Sequence, residues 1–126
     1  MSEGQKGRRS TQRKGRTGEE IAAAYLAGKG YQILSRNYRC RYGEIDIVAR
    51  HGQTLVFVEV KAGRSGNFGT PESWVDRRKQ QHLGNAAAVY LDEHGIADVD
   101  CRFDVVAILL ERGGARVQHI ENAFWL

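Results

Sequence analysis

Apolar side chains recur at helical spacing in two stretches of this chain, and in alternating or unbroken runs elsewhere. Ile21, Ala24, Tyr25 and Gly28 mark the first helical stripe, with Ala22 and Leu26 widening it. Thr17 and Glu20 precede it with the spacing of a capping box, so a helix is predicted to begin there, and Gly28 and Gly30 close it. Residues 31–36 (YQILSR) read as a strand, and the polar, basic and aromatic NYRCRY leads on to Gly43. Residues 44–51 alternate as a second strand, with Ile45, Ile47 and Ala49 on one face. Residues 54–60 (TLVFVEV) are almost continuously apolar and β-branched, the pattern of a strand buried on both faces. Gly52-Gln53 between them suits a two-residue hairpin with glycine first, as a type II′ turn requires.

Residues 62–71 (AGRSGNFGTP) hold three glycines and the only proline, which predicts a loop. It is longer than a simple connection needs, which leans it toward function. A second helical stripe follows in Val75, Leu83, Ala86, Ala87, Tyr90 and Leu91, ending at Gly95. Residues 102–110 (RFDVVAILL) are a second buried-type strand, Gly113-Gly114 a turn, and residues 115–120 a last edge strand. The order is helix, three strands, helix, strand, then the edge strand. It predicts an α/β fold with a mixed central sheet flanked by helices.

At 126 residues, 41% hydrophobic and 27% charged, the chain has one ordinary core and no stretch near the roughly 20 apolar residues of a membrane span. The net charge of +4 is unevenly spread. Residues 1–16 carry six basic side chains (Lys6, Arg8, Arg9, Arg13, Lys14, Arg16) against Glu3, or +5; the remaining 13 basic and 14 acidic residues sum to −1. This divides the chain into a basic, flexible arm (1–16) and a near-neutral domain (17–126). The arm lacks large apolar side chains after Met1, so it suits neither a secretory signal nor a transit helix, and a cytoplasmic location is expected. Cys40 and Cys101, far apart in sequence, then read as reduced thiols. His51, His82, His94 and His119 share no metal-ligand spacing and read as surface or helix-end residues.

Glu59 interrupts the most apolar run of the chain, where an unpaired carboxylate costs several kcal/mol. Lys61 leaves the same face two residues on. In a hairpin closed by His51 and Thr54, Asp46 faces Glu59 and Glu44 faces Lys61. Opposed Cβ atoms lie about 4.5–5.5 Å apart, so two carboxylates there repel unless a divalent cation joins them. The residues alone leave two readings open: a metal site, or ordinary ion pairs near a strand end.

Asp46 followed by Glu59-Val60-Lys61 fits the D-x(n)-E-x-K signature of the restriction-endonuclease-like nuclease superfamily. Around it stand Gly18-Glu19, Gly30-Tyr31, Arg36-Asn37, Gly43-Glu44-Ile45-Asp46, the run Val56-Phe57-Val58-Glu59-Val60-Lys61, Phe68-Gly69-x-Pro71 and Arg102-Phe103-Asp104-Val105. This ordered series, over about residues 15–110, resembles the YraN family of small bacterial proteins. Members are described as predicted endonucleases and are similar to archaeal Holliday-junction resolvases. The resemblance implies a restriction-endonuclease-like core and a Mg²⁺- (or Mn²⁺-) dependent endonuclease hydrolysing phosphodiester bonds in DNA, including branched DNA. It adds Glu19, 11 positions before Gly30, as a third acid of the site, and the Val60 carbonyl as a metal ligand beside Asp46 and Glu59. Lys61 would stabilise the transition state or orient water. The alternative is a nucleic-acid-binding protein that keeps the fold without catalysis.

DNA contacts are expected from Arg36, Arg39, Arg41 and Tyr42, the densest basic and aromatic cluster outside the arm, which also includes Tyr38. Arg64 and Phe68 in the glycine-rich segment, and Arg78 and Lys79 beside Arg77 at the start of the second helix, add to them. Trp74 and Trp125 read as packing residues, and the apolar C-terminus as packed on the sheet or in a homodimer contact.

Overall fold

The computed structural model describes residues 18–64 and 69–124. The arm, Thr17, Phe68 and Trp125 lie outside these residues. Helix α1 spans 18–28. It is followed by β1 (Gln32–Cys40), β2 (Gly43–His51), β3 (Thr54–Arg64), a 3-10 turn (Pro71–Ser73), α2 (Arg77–Glu93), β4 (Cys101–Glu111) and β5 (Gly114–Ile120). The five strands form one sheet in sequence order. β3 and β4 run parallel, and the other neighbours are antiparallel. This is the mixed α/β sheet with helices on both faces that a restriction-endonuclease-like core requires.

Both helices end in the same way. The Tyr31 and Gly30 N–H groups return to Leu26 and Ala27, and those of Ile96 and Gly95 return to Leu91 and Asp92. Gly30 and Gly95 take φ values of 91° and 62°, the left-handed geometry this closure needs. At the start of α2 the Asp76 carboxylate accepts the Lys79 N–H at 2.8 Å. Val75 therefore precedes the helix and does not belong to its stripe, although it is buried beneath it.

The sheet buries both faces. Leu83, Ala86, Ala87 and Tyr90 of α2 pack with Val48, Leu55, Phe57, Val105 and Ala107. Ala22 and Leu26 of α1 pack on the opposite face with Ile47, Ala49, Val56, Val58, Val106 and Ile108. The unbroken apolar runs of β3 and β4 thus alternate between two cores. Each large side chain buried here contributes about 1.5–3 kcal/mol. Trp74 and Phe124 are buried in the α2-side core, and Phe124 stacks on Phe103 at 4.9 Å. No helix among the described residues is long and apolar enough to cross a membrane.

Four expectations need correction. β1 continues through Tyr38 and Arg39, because an edge strand needs no apolar alternation to complete its ladder with β2. β3 continues to Arg64, since the parallel ladder with β4 uses the backbone of Ala62, Gly63 and Arg64 whatever their side chains. Ile45 does not share a face with Ile47 and Ala49: it lies in the α2-side core and they lie in the other. The change of face falls at Asp46, opposite Asn37, which has a φ of 57°. His119 is no surface residue, its side chain being 2% exposed.

Candidate active site

The hairpin register is the expected one from His51↔Thr54 to Ile47↔Val58, and there the ladder stops. One position further on, the Asp46 carboxylate takes over and accepts the Val60 N–H at 2.7 Å. The side chain thus satisfies backbone that the sheet no longer pairs. Asp46 is half-buried, with Glu59, Glu19 and Glu44 all near enough to act on it. Burial first, and then the charge of Glu59 and, more weakly, those of Glu19 and Glu44, push its carboxyl up to about 7. The Val60 N–H opposes them without cancelling them.

Three elements deliver these acids. Glu19 comes from the first turn of α1, and its carboxylate lies 3.7 Å from the Arg36 guanidinium of β1. Gly18 permits the approach: a Cβ there would stand 3.1 Å from the Ala62 Cβ of β3. Glu59 comes from β3 and lies 3.5 Å from the Lys79 ammonium of α2. Glu44 pairs with Arg39 at 3.7 Å and not with Lys61. The expected pairing is lost because the β2–β3 ladder ends before it. Lys61 donates to the Trp74 carbonyl at 3.2 Å.

The structure therefore brings Glu19, Asp46 and Glu59 into one electrostatic neighbourhood, with Lys61 and Val60 on the adjoining strand. Lys79 and Arg36, both expected to contact DNA, stand at the edge of this centre as partners of Glu59 and Glu19. Arg39, Arg64 and Arg78 are exposed, and Arg41 lies over the Tyr42 ring at 4.9 Å. Among the described residues, no three His, Cys, Asp or Glu side chains stand close enough to hold one ion as they are oriented. Hard carboxylate oxygens such as these suit Mg²⁺ or Mn²⁺.

Two features escaped the sequence reading. Glu44, expected only to face Lys61, is a fourth acid that acts on Asp46. The second is Asp104, 1% exposed. It accepts both arms of Arg102 at 2.9 and 3.1 Å, His119 Nε2 at 2.7 Å and the Asn122 N–H at 3.0 Å. Burial pushes its carboxyl up, but the hydrogen bonds from His119, Arg102 and Asn122 outweigh it and hold the group below the usual range. Arg102 also donates to the Tyr31 hydroxyl at 2.6 Å. Lys29 Nζ lies 3.2 Å from His119 Nδ1, which makes that nitrogen the acceptor and places the ring proton on Nε2. An acid inside an apolar run, with arginine two residues earlier, was the available signal.

Residues 18–108 match the family model of the uncharacterised protein family UPF0102. A UPF0102 protein of Syntrophus aciditrophicus is 48% identical over 114 residues, covering 90% of each chain. One from Geobacter sulfurreducens is 51% identical over 86% of each chain. One from Moorella thermoacetica is 53% identical over 89% of this chain and 95% of its own.

Proposed function

The chain belongs to the uncharacterised family UPF0102, and from that premise we propose that it is a divalent-metal-dependent endodeoxyribonuclease, acting in the cytoplasm on DNA, including branched DNA. The observation that carries the reading is Asp46: a half-buried carboxyl held at a strand end among Glu19, Glu44 and Glu59, with Lys61 one strand position past the Val60 N–H it accepts. Such a cluster works against folding unless a cation relieves it.

Asp46, Glu59 and Glu19, with the Val60 carbonyl, would hold Mg²⁺ or Mn²⁺. The bound ion would supply an activated water and offset charge on the scissile phosphate. Lys61, its ammonium kept in place by the Trp74 carbonyl, is the cation available to charge developing on that phosphate. Arg36 and Lys79 pair with Glu19 and Glu59, and with a metal on those carboxylates both cations would be available to DNA phosphates. A two-fold homodimer would suit cutting of two strands.

The test is incubation of purified protein with linear, nicked and four-way-junction DNA in Mg²⁺, Mn²⁺ or EDTA. Cutting that requires metal and vanishes in Glu59→Ala is expected. Cutting that survives Glu59→Ala would refute the site. The second reading, a DNA-binding protein without catalysis, draws on one observation: Glu19 and Glu59 are each turned to a cation. Binding without cutting under any metal would establish it.

A further inference from the structure

A cavity of about 600 Å³ opens between the β1–β2 turn and the C-terminal half of α2. One wall is Arg39, Arg41 and Tyr42, and the other includes Asn85, Asp92 and Glu93. Its volume is that of a small-molecule site. Arg39 pairs with Glu44, which precedes Asp46 by two residues on β2. Arg39 of the cavity wall therefore lies two residues, about 7 Å, along the sheet from Asp46.

The two walls have opposite chemistry, and this narrows the ligand. A surface for phosphates alone would not oppose its arginines with two carboxylates, and a cation site would not include the arginines. Glu93 is engaged by the Tyr38 hydroxyl. Asp92, by contrast, has no side-chain partner among the described residues, and neither does the Asn85 amide. Tyr42, partly buried against the α2-side core, backs the Arg41 guanidinium that lies over its ring at 4.9 Å. A guanidinium plane to stack on, an arginine for the flanking phosphates, and an acceptor and an amide for a Watson–Crick edge are the groups that recognise an unstacked base.

The geometry points to this cavity as a subsite for an unpaired nucleobase of the bound strand, favouring guanine, whose N1–H and N2 amino group both donate toward the Asp92 carboxylate. It rests on the DNA-acting reading above and deepens it. The subsite would direct cutting to DNA that has an unpaired base beside the cleavage point.

The test compares binding, in EDTA, to duplexes identical except for one looped-out guanine, one looped-out thymine, or none. Wild-type protein should prefer the looped-out guanine to the paired duplex on the order of ten-fold, the scale of one stacked base. Tyr42→Ala should abolish the preference. Ala88→Trp, which fills the cavity from an exposed position of α2, should do the same without touching the core. Asp92→Asn should reduce the guanine-over-thymine preference. Equal binding of all three duplexes, or a preference unaffected by both Tyr42→Ala and Ala88→Trp, overturns the subsite while leaving the DNA reading intact. Failure to bind any duplex, both in EDTA and with Ca²⁺ added, overturns both. Displacement by free guanosine monophosphate as effective as by the looped-out duplex overturns the strand-borne ligand in favour of a free nucleotide.

Discussion

Replacing Asp46 by asparagine should stabilise the metal-free protein at pH 8 and clearly less at pH 5, where only about a third of the effect has developed. The amide oxygen introduced by Asp46→Asn can still accept the Val60 N–H, so the substitution removes charge and little else. The carboxyl moves from 3.8 to about 7 on folding. A raised acid binds its proton more tightly in the folded state, so stability falls as pH rises from about 4 to about 7 and is level above. At about 1.4 kcal/mol per pH unit the ceiling is roughly 4 kcal/mol. Solvent at this half-buried cluster reduces it to about 2 kcal/mol. For a chain of this length that is a Tm gain of roughly 8 °C at pH 8. Thermal unfolding followed by circular dichroism, in EDTA at both pH values, measures it. Added Mn²⁺ should then raise the Tm of wild type at pH 8 and not that of the variant. An Asp46→Asn protein no more stable at pH 8 than at pH 5, relative to wild type, would show that burial and the neighbouring acids do not raise the Asp46 carboxyl as argued.

Three further outcomes follow from other parts of the molecule. Arg102→Ala strands the buried Asp104 carboxylate and should cost about 3–5 kcal/mol in urea unfolding. The Asp104 contribution, present above pH 4, should fade on acidification, because its folded carboxyl titrates below the usual range. Gly18→Ala crowds Ala62 and should cost about 1 kcal/mol, with Ala62→Gly restoring it; failure of the rescue would show that the close approach of α1 to β3 does not matter. Removing residues 1–16 should weaken DNA binding and flatten its salt dependence, by about 0.9 in log–log slope for each lost phosphate contact, as a titration at several salt concentrations would show.

The element order and the hairpin register were legible because β-branched runs, helical stripes and turn glycines are local signals. The face taken by Ile45 was not, because the change of face within β2 shows only in how its residues divide between the two cores. Asp46, Glu59 and Lys61 were legible as charges where an apolar strand should not have them. Their partners were not, since Lys79 and Arg36 reach the acids only through the packing of α2 and the pairing of β1. Arg39, Arg41 and Tyr42 were visible as a basic cluster, while the opposing wall of α2 that makes them a cavity is a tertiary fact.

Asp104 and Asp46 present the same physical problem with opposite solutions, and the contrast bears on function. Both are carboxylates set among apolar strands. Asp104 receives a bidentate guanidinium, an imidazole and a backbone N–H, so its charge is fully met and its carboxyl titrates low. Asp46 receives one backbone N–H, has no ion-pair partner among the described residues, and faces three other acids, so it titrates high. A fold that can surround one buried aspartate with partners has the means to satisfy another. The cations nearest the Asp46 cluster, Arg36 and Lys79, are instead engaged with Glu19 and Glu59 at 3.7 and 3.5 Å, long and half-exposed contacts that a competing ion can displace. Stability alone would favour an amide at position 46, and a carboxylate there is the group that the proposed Mg²⁺ or Mn²⁺ site would use.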